Sequence, residues 1–373
     1  MLPLSGQSSV LLIGKNGAGK TTVGLALGIL QKIARGINRA NDLLKPKDAA
    51  IGAGIGRSNV AVRFEIQAEL DGKVYEYTVA FELWKTGDVW LVLDETFAVD
   101  SKTVYSRQLA DVHIENGSIS DSAESAASQQ PIRAQFKEAW LPVDRHLVAL
   151  PILQERSAED PLFVFKQWLG RMLILQPIPS LIGGESKHET LAPNSQVTDF
   201  AAWFSGVLAH APAAYGRIDE YLKQVMPDLG DIKNPVVGRE QRSLFVQFSN
   251  NLGSIPVPFE DLSDGEKCFM ICALVLAAND AYGPLLCFWD EPDSHLSLDE
   301  VGHFVLALRK GFQSGGQFIA TSHNPEAIRR FSDENTLVLY RKSHLEPTLV
   351  RPLSEIQISG DLVGALVRGD VEP

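Results

Sequence analysis

Short continuous apolar runs, each closed by glycine or polar residues, mark both ends of this chain. A middle stretch instead alternates apolar and polar residues one by one. The run Ser9-Val10-Leu11-Leu12-Ile13 predicts a buried strand, and a glycine-rich turn and a helical pattern from Lys20 to about Ile37 follow it. Residues 60–66, 74–81 and 89–93 carry the two-residue period of antiparallel strands, with Asp71-Gly72 as the hairpin turn between the first two. Residues 41–58 read as loop. Their cluster Gly52-Ala53-Gly54-Ile55-Gly56 is followed by no helical pattern, which argues against a dinucleotide site. The segment 116–131, rich in Ser, Ala, Asp and Gln, predicts an exposed mobile loop, and a strand is expected near His146–Leu153.

Farther along, Phe200, Trp203, Phe204, Val207 and Leu208 fall at helical spacing, as do Tyr215, Ile218, Tyr221 and Leu222. These aromatics read as the core face of a helical lobe, not as a ligand box. A strand at Ser243–Phe248 precedes a long apolar helix from Asp264 to about Asn279. Next come a strand ending at Asp290, a helix over Leu298–Phe312 and a strand at Gln317–Thr321. A strand pair (Thr336–Tyr340 and Thr348–Val350) and a short helix near 361–367 complete the pattern. Strands that alternate with helices predict an α/β fold with a mainly parallel sheet. The expected division is a P-loop strand and helix over 1–40 and an antiparallel β subdomain over 41–100. An insertion over 101–195, a helical lobe over 196–260 and a returning core over 261–373 follow. There is no internal repeat and no coiled-coil heptad pattern.

Composition narrows the function class. Of the 373 residues 45% are hydrophobic and 21% charged, which is ordinary globular usage. A net charge of -12 excludes a wholly basic, nucleic-acid-coating surface. The charge is uneven, however: Lys15, Lys20, Lys32, Arg35, Arg39, Lys45, Lys47 and Arg57 face only Asp42 and Asp48 in the first sixty residues. Such a basic start suits nucleotide, and DNA is a candidate ligand. The cysteines Cys268, Cys272 and Cys287 read as small buried hydrophobes of a reducing compartment. With no signal peptide and no apolar run of about 20 residues, the chain reads as cytoplasmic, with no membrane partner.

The chemistry lies at the strand ends. Gly14-Lys15-Asn16-Gly17-Ala18-Gly19-Lys20-Thr21 satisfies the full phosphate-loop pattern. Its glycines let backbone N–H groups converge on phosphate oxygens at a helix N-terminus. Lys20 is expected to reach the β- and γ-phosphates and Thr21 to ligate Mg²⁺, with Thr22 next on the helix. Asp290 and Glu291 close an apolar strand, where ligands of parallel sheets collect. One acid can hold Mg²⁺ and the other can polarise an attacking water. His323, after the next strand, can hydrogen-bond the γ-phosphate.

In this order and spacing the chain resembles the heads of ABC-type ATPases, in the branch of SMC, RecF and OLD-like proteins. Gly14–Thr21 looks like Walker A and Leu262-Ser263-Asp264-Gly265-Glu266 like the signature. Leu285–Glu291 looks like Walker B with its catalytic glutamate, Ser294-His295-Leu296 like the D-loop, and His323 like the switch histidine. The resemblance implies ATP and Mg²⁺ as ligands. It also implies a homodimer or higher oligomer, in which ATP on Walker A of one head contacts Ser263 and Gly265 of the other. Gln154 is the candidate for the family's Q-loop glutamine, a further metal contact. Family heads usually begin with two strands that include an adenine contact, and most of that is absent before Gly14, so adenine selectivity stays open. No room remains after His323 for a nuclease domain of the kind some relatives carry, so the expectation is a separate effector protein. The function implied is ATP-driven switching of that partner, or engagement of DNA, in anti-phage defence or genome maintenance. A transporter's nucleotide-binding subunit and an ATP-binding scaffold without turnover are the alternatives.

Overall fold

The computed structural model describes residues 2–46, 48, 61–84, 88–115, 138–331, 333–343 and 346–356. The glycine cluster at 52–56, the expected loop at 116–131 and the expected helix at 361–367 lie outside these residues. The chain begins with β1 (Ser9–Ile13), α1 (Lys20–Ala34) and α2 (Ala40–Leu43). Six strands follow: β2 (Val62–Leu70), β3 (Lys73–Trp84), β4 (Val89–Val99), β5 (Lys102–Gln108), β6 (Asp111–Glu115) and β7 (Glu138–Pro142). Then come α3 (Pro161–Gly170), β8 (Leu173–Leu175), β9 (Glu185–Ser186), α4 (Phe200–His210) and α5 (Ala214–Val225). Five short strands lead to the long helix: β10 (Leu229–Lys233), β11 (Val236–Val237), β12 (Gln241–Ser243), β13 (Phe245–Asn250) and β14 (Gly253–Pro258). The last part holds α6 (Asp264–Tyr282), β15 (Leu286–Trp289), α7 (Leu298–Gln313), β16 (Gln317–Thr321), α8 (Pro325–Arg330), β17 (Thr336–Tyr340) and β18 (Leu349–Pro352).

Two compact units divide these elements. The first contains residues up to 25, 171–342 and from 348 on, and the second 26–170 with 343–347. In the first, a six-stranded sheet has the order β18-β17-β1-β16-β15-β8. All its neighbours are parallel except β17 and β18. Every residue of β1 and β15 is buried, as expected of strands covered on both faces. Helix α6 is buried at every residue from Lys267 to Asn279 and packs against α4, α5 and α7. An all-round apolar helix is a core helix. The predicted lobe aromatics Phe200, Trp203, Phe204 and Tyr221 are buried beside it and Tyr215 is half-buried, with Phe200 stacked on Phe259 at 4.7 Å between ring centres.

Helix α1 stops three residues earlier than its apolar pattern. Gly36 adopts φ 99°, its N–H donates to Ile33 O, and the N–H of Ile37 donates to Lys32 O. That pair of bonds is the glycine-dependent Schellman stop. Gly24, on the same helix, faces the Phe288 ring of β15. A Cβ there would lie 2.5 Å from a ring carbon, so the helix sits against the sheet only because no side chain intervenes.

The second unit is an antiparallel meander in the order β2-β3-β4-β5-β6-β7. The Asp71-Gly72 turn has φ 50° and 74°, the primed geometry that matches strand twist. The sheet continues beyond residue 100: β5, β6 and β7 fall within the stretch that the sequence marks only as an insertion. Phe165 of α3 covers it, with ring centres 5.1 Å from Phe97 and 5.9 Å from Tyr77.

The strand expected near His146–Leu153 does not form. Val148, Ala149 and Leu150 are nonetheless fully buried. Their neighbourhood has only an isolated bridge, Arg39 to Leu147. A buried carboxylate replaces the ladder: Glu95 accepts from the N–H groups of Ala149 (2.7 Å) and Leu150 (2.9 Å). Glu95 also accepts from the hydroxyls of Tyr77 (2.9 Å) and Tyr105 (2.8 Å), and Arg107 Nη1 lies 3.8 Å away. Burial first, and the Glu95 charge second, hold both phenols well above their usual range, so they remain donors. Glu95→Ala orphans these donors and leaves the Arg107 charge without its carboxylate. It should lower unfolding free energy by about 3–5 kcal/mol in urea denaturation. A loss below about 1 kcal/mol would show that the hub does not hold the unit together.

Candidate nucleotide site

The phosphate loop joins β1 to α1. Gly14, Gly17 and Gly19 have φ 151°, 78° and 101°, all in the region that favours glycine. Gly14 also passes against β17, where a Cβ would lie 2.2 Å from Leu339 O. Lys15, Asn16 and Gly17 form the exposed crest, and the Ala18 N–H closes the turn onto Lys15 O. Thr348 Oγ1 donates to Ala18 O at 2.8 Å and so braces the loop from the side of β18. Lys20 Nζ points back across the loop and donates to Gly14 O at 2.9 Å. Burial lowers the Lys20 ammonium's pKa, against the opposing pull of Glu291 and Asp290. Thr21 and Thr22 are exposed in the first turn of α1, where helix N–H groups lack internal partners.

The parallel order brings four strand ends to one carboxylate. Asp290, just past β15, accepts from Thr21 Oγ1 at 2.9 Å and from Thr321 Oγ1 at 2.5 Å. Its Oδ2 also accepts from Gln176 Nε2, at 3.2 Å. Glu291 follows with φ 49°, a left-handed backbone that costs a non-glycine residue about 1–2 kcal/mol. Its N–H donates to Thr321 Oγ1 at 2.9 Å, so one buried hydroxyl holds both acids. The Glu291 carboxylate is half-exposed. Ser294 Oγ donates to it at 3.2 Å, and His323 Nε2 lies 3.8 Å away. A cavity of about 300 Å³ is lined by Thr21, Gln176, Asp290, Glu291, Ser294 and His295, among others.

The structure therefore gathers Lys20, Thr21, Asp290, Glu291 and His323. Gln154 is exposed in the turn before α3, within the second unit. Gln176 stands at the carboxylate, one residue past β8. Sequence reading missed it because β8 is only three residues long. The apolar run Met172–Leu175 ending in a glutamine was the available signal. Thr321 was also missed as a site residue, and Ser294, read as part of the D-loop, was not expected at the Glu291 carboxylate.

The signature segment begins α6. Ser263 is the N-cap: its hydroxyl accepts from Glu266 N at 3.3 Å, and Glu266 Oε2 accepts from Ser263 N at 2.7 Å. This capping box explains the glutamate at the end of the pentapeptide. Asp264 Oδ2 lies 3.5 Å from His295 Nδ1, and a Cβ on Gly265 would lie 3.2 Å from His295 O. Neither Ser263 nor Gly265 lines the cavity of the same chain.

The oxygen donors fit a small hard cation. Thr21, Asp290 and Gln176 offer a hydroxyl, a carboxylate and an amide oxygen, the sparse protein set that magnesium accepts alongside phosphate oxygens. Among the described residues no cluster of three His, Cys, Asp or Glu side chains offers a dedicated cage. The three cysteines are buried and free. Burial pushes the Cys268 and Cys272 thiols up to about 12, so they act as packing atoms. No helix among the described residues is long and apolar enough to cross a membrane.

A phosphate loop after β1, an Asp-Glu pair two strands away after β15 and a histidine after the strand between them, on this strand order, define an ABC-type, SMC-head-like ATPase fold. The family described as "AAA domain, putative AbiEii toxin, Type IV TA system" matches residues 9–329, and the chain belongs to that family. A solved Smc head bound to the C-winged helix domain of ScpA superposes with a TM-score of 0.52 at 12% identity, covering 94% of this chain and 92% of that one. The chromosome partition protein Smc of Chlorobaculum tepidum is 34% identical over 76 residues, or 20% of this chain and 6% of that protein. The chain thus spans only a small part of that relative's length.

Burial, and then the Lys20 charge, lower the His323 pKa from its usual 6.5, while Glu291 pulls the other way. The imidazole is therefore neutral at pH 7, with one N–H to give. Its NMR titration should have a midpoint below 6.5 and should move upward in Lys20→Ala. A midpoint above 6.5 would contradict this environment.

Proposed function

We propose that this protein hydrolyses ATP with Mg²⁺ in a head-to-head dimer and uses the cycle to switch a separate protein. The observation that carries the reading is the Asp290 carboxylate, shared between Thr21 of the phosphate loop and Gln176, with Glu291 beside it facing His323. Lys20 and the loop N–H groups hold the phosphates. Thr21, Asp290 and Gln176 are the residues that would hold Mg²⁺, which neutralises phosphate charge when bound. Glu291 accepts a proton from water as the water oxygen bonds to the γ-phosphorus. The bond from that phosphorus to the β–γ bridging oxygen breaks, and ADP and phosphate leave. His323 donates its N–H to the γ-phosphate and loses that partner after cleavage.

The dimer rests on the signature. Ser263 and the N-terminal turn of α6 form an anion-seeking surface, and neither Ser263 nor Gly265 lines the chain's own cavity, which suits the nucleotide of a second copy. ATP then holds the heads together and hydrolysis releases them. Two observations favour a separate partner: the family's description names a toxin of a toxin–antitoxin system, and the Smc head superposes in a form bound to ScpA. Anti-phage defence and genome maintenance are the settings that this supports. DNA is a weaker candidate ligand. Lys32, Arg35 and Arg39 are exposed, but Arg35 Nε already donates to Gly170 O at 2.8 Å.

Lys20→Ala should abolish ATP binding in a nucleotide titration, and unchanged affinity would refute the phosphate-loop assignment. Glu291→Gln should bind ATP, stop turnover and scatter light as a dimer; a monomer with ATP would overturn the head-to-head arrangement. Gln176→Ala should lower Mg²⁺-dependent turnover about tenfold or more while Gln154→Ala leaves it near the parental value. The reverse pattern would restore Gln154 to the site.

A further inference from the structure

Two consecutive hydroxyls end β16, and each secures a different acid. Thr321 holds Asp290 and the Glu291 backbone, as described. Ser322 reaches the next acid along: its Oγ donates to Asp293 Oδ2 at 2.7 Å and accepts from Asn324 N at 2.9 Å. Ser322 therefore fixes the backbone immediately on either side of His323. Asp293 fixes the turn after Glu291, where the N–H of Ser294 donates to Glu291 O and that of Leu296 to Asp293 O. Ser322 and Asp293 are 1% and 4% exposed, too buried to bind a ligand directly. A residue needed only for packing here could be apolar. Burying a carboxylate carries a desolvation cost that the packing role does not require.

We propose that Ser322 and Asp293 are a positioning pair, whose one hydrogen bond sets His323 against Glu291 and carries the state of the γ-phosphate contact to Ser294-His295. This rests on the ATPase reading above. The bond links two loops of the site: the one bearing the histidine, and the one bearing the catalytic acid and the segment presented toward a second head. Loss of the bond frees His323 and Glu291 to separate, while the phosphate loop, held by β1, α1 and β17, keeps its shape.

The test uses the full chain with Ser322→Ala, Ser322→Thr, Asp293→Asn and the Ser322→Ala/Asp293→Asn double variant. Each is measured for ATP affinity, for kcat and for the His323 imidazole signal, assigned by its absence in His323→Gln. A hydrogen bond to a carboxylate predicts that Ser322→Ala lowers kcat about tenfold or more with ATP affinity within about twofold. Ser322→Thr should restore kcat, and the double variant should be no slower than the slower single one. The His323 signal should shift in Ser322→Ala and return in Ser322→Thr. The proposal is overturned if Ser322→Ala turns over normally, if affinity falls in step with kcat, or if the single effects simply multiply. Should the parental protein bind ATP without turnover, the ATPase reading fails by itself. The histidine signal then decides: unmoved in Ser322→Ala, it overturns the pair, and shifted and rescued, it upholds it.

Discussion

Asp290 is the point on which the functional half of this molecule depends. Three side chains donate to its carboxylate, and they come from the phosphate-loop helix, from the end of β8 and from the end of β16. A carboxylate at the end of a buried parallel strand is the natural meeting place for such donors, because each neighbouring strand ends at the same level. The sheet order sets which ones arrive: β16 lies between β1 and β15, and β8 lies on the far side of β15. Exchange of any two of β1, β16, β15 and β8 would disperse the site. The left-handed backbone at Glu291 is tolerated for the same reason, since Thr321 anchors both its N–H and the neighbouring carboxylate.

The parallel strands were legible from sequence because strands buried on both faces are written as unbroken apolar runs. β1 and β16 fall on the residues that the pattern marks, and β15 ends one residue before Asp290. The phosphate loop was equally legible, since its glycines answer to backbone angles that few other residues adopt. Gln176 was hidden because a three-residue strand leaves too short a run to recognise. The strand expected near His146–Leu153 does not form, although Val148–Leu150 are apolar and buried. Their backbone is satisfied by Glu95, a contact from a distant strand that no local pattern records. β5 to β7 were missed although β6, Asp111–Glu115, alternates polar and apolar: β5 has seven residues and β6 and β7 five each, and they pair in a meander that the sequence pattern marks only as an insertion.

The signature segment shows the limit of reading one chain alone. Its serine and glutamate form a capping box within α6, and its aspartate and glycine lie against His295 of the same chain. All of these contacts are local, and they leave Ser263 and Asp264, at the N-terminal turn of the helix, exposed. In the proposed dimer that turn receives the other head's nucleotide. His295 then touches both the signature segment and the cavity at the catalytic acids, and so it lies between the two halves of the cycle.

The most direct measurement of the shared site is complementation between two inactive variants. Lys20→Ala lacks the phosphate loop's charge and Ser263→Arg blocks the signature. A site built from both heads predicts that neither protein hydrolyses ATP alone and that a mixture of the two does, because one intact pair of halves can form. An inactive mixture of two well-folded variants, or full turnover by Ser263→Arg alone, would contradict it.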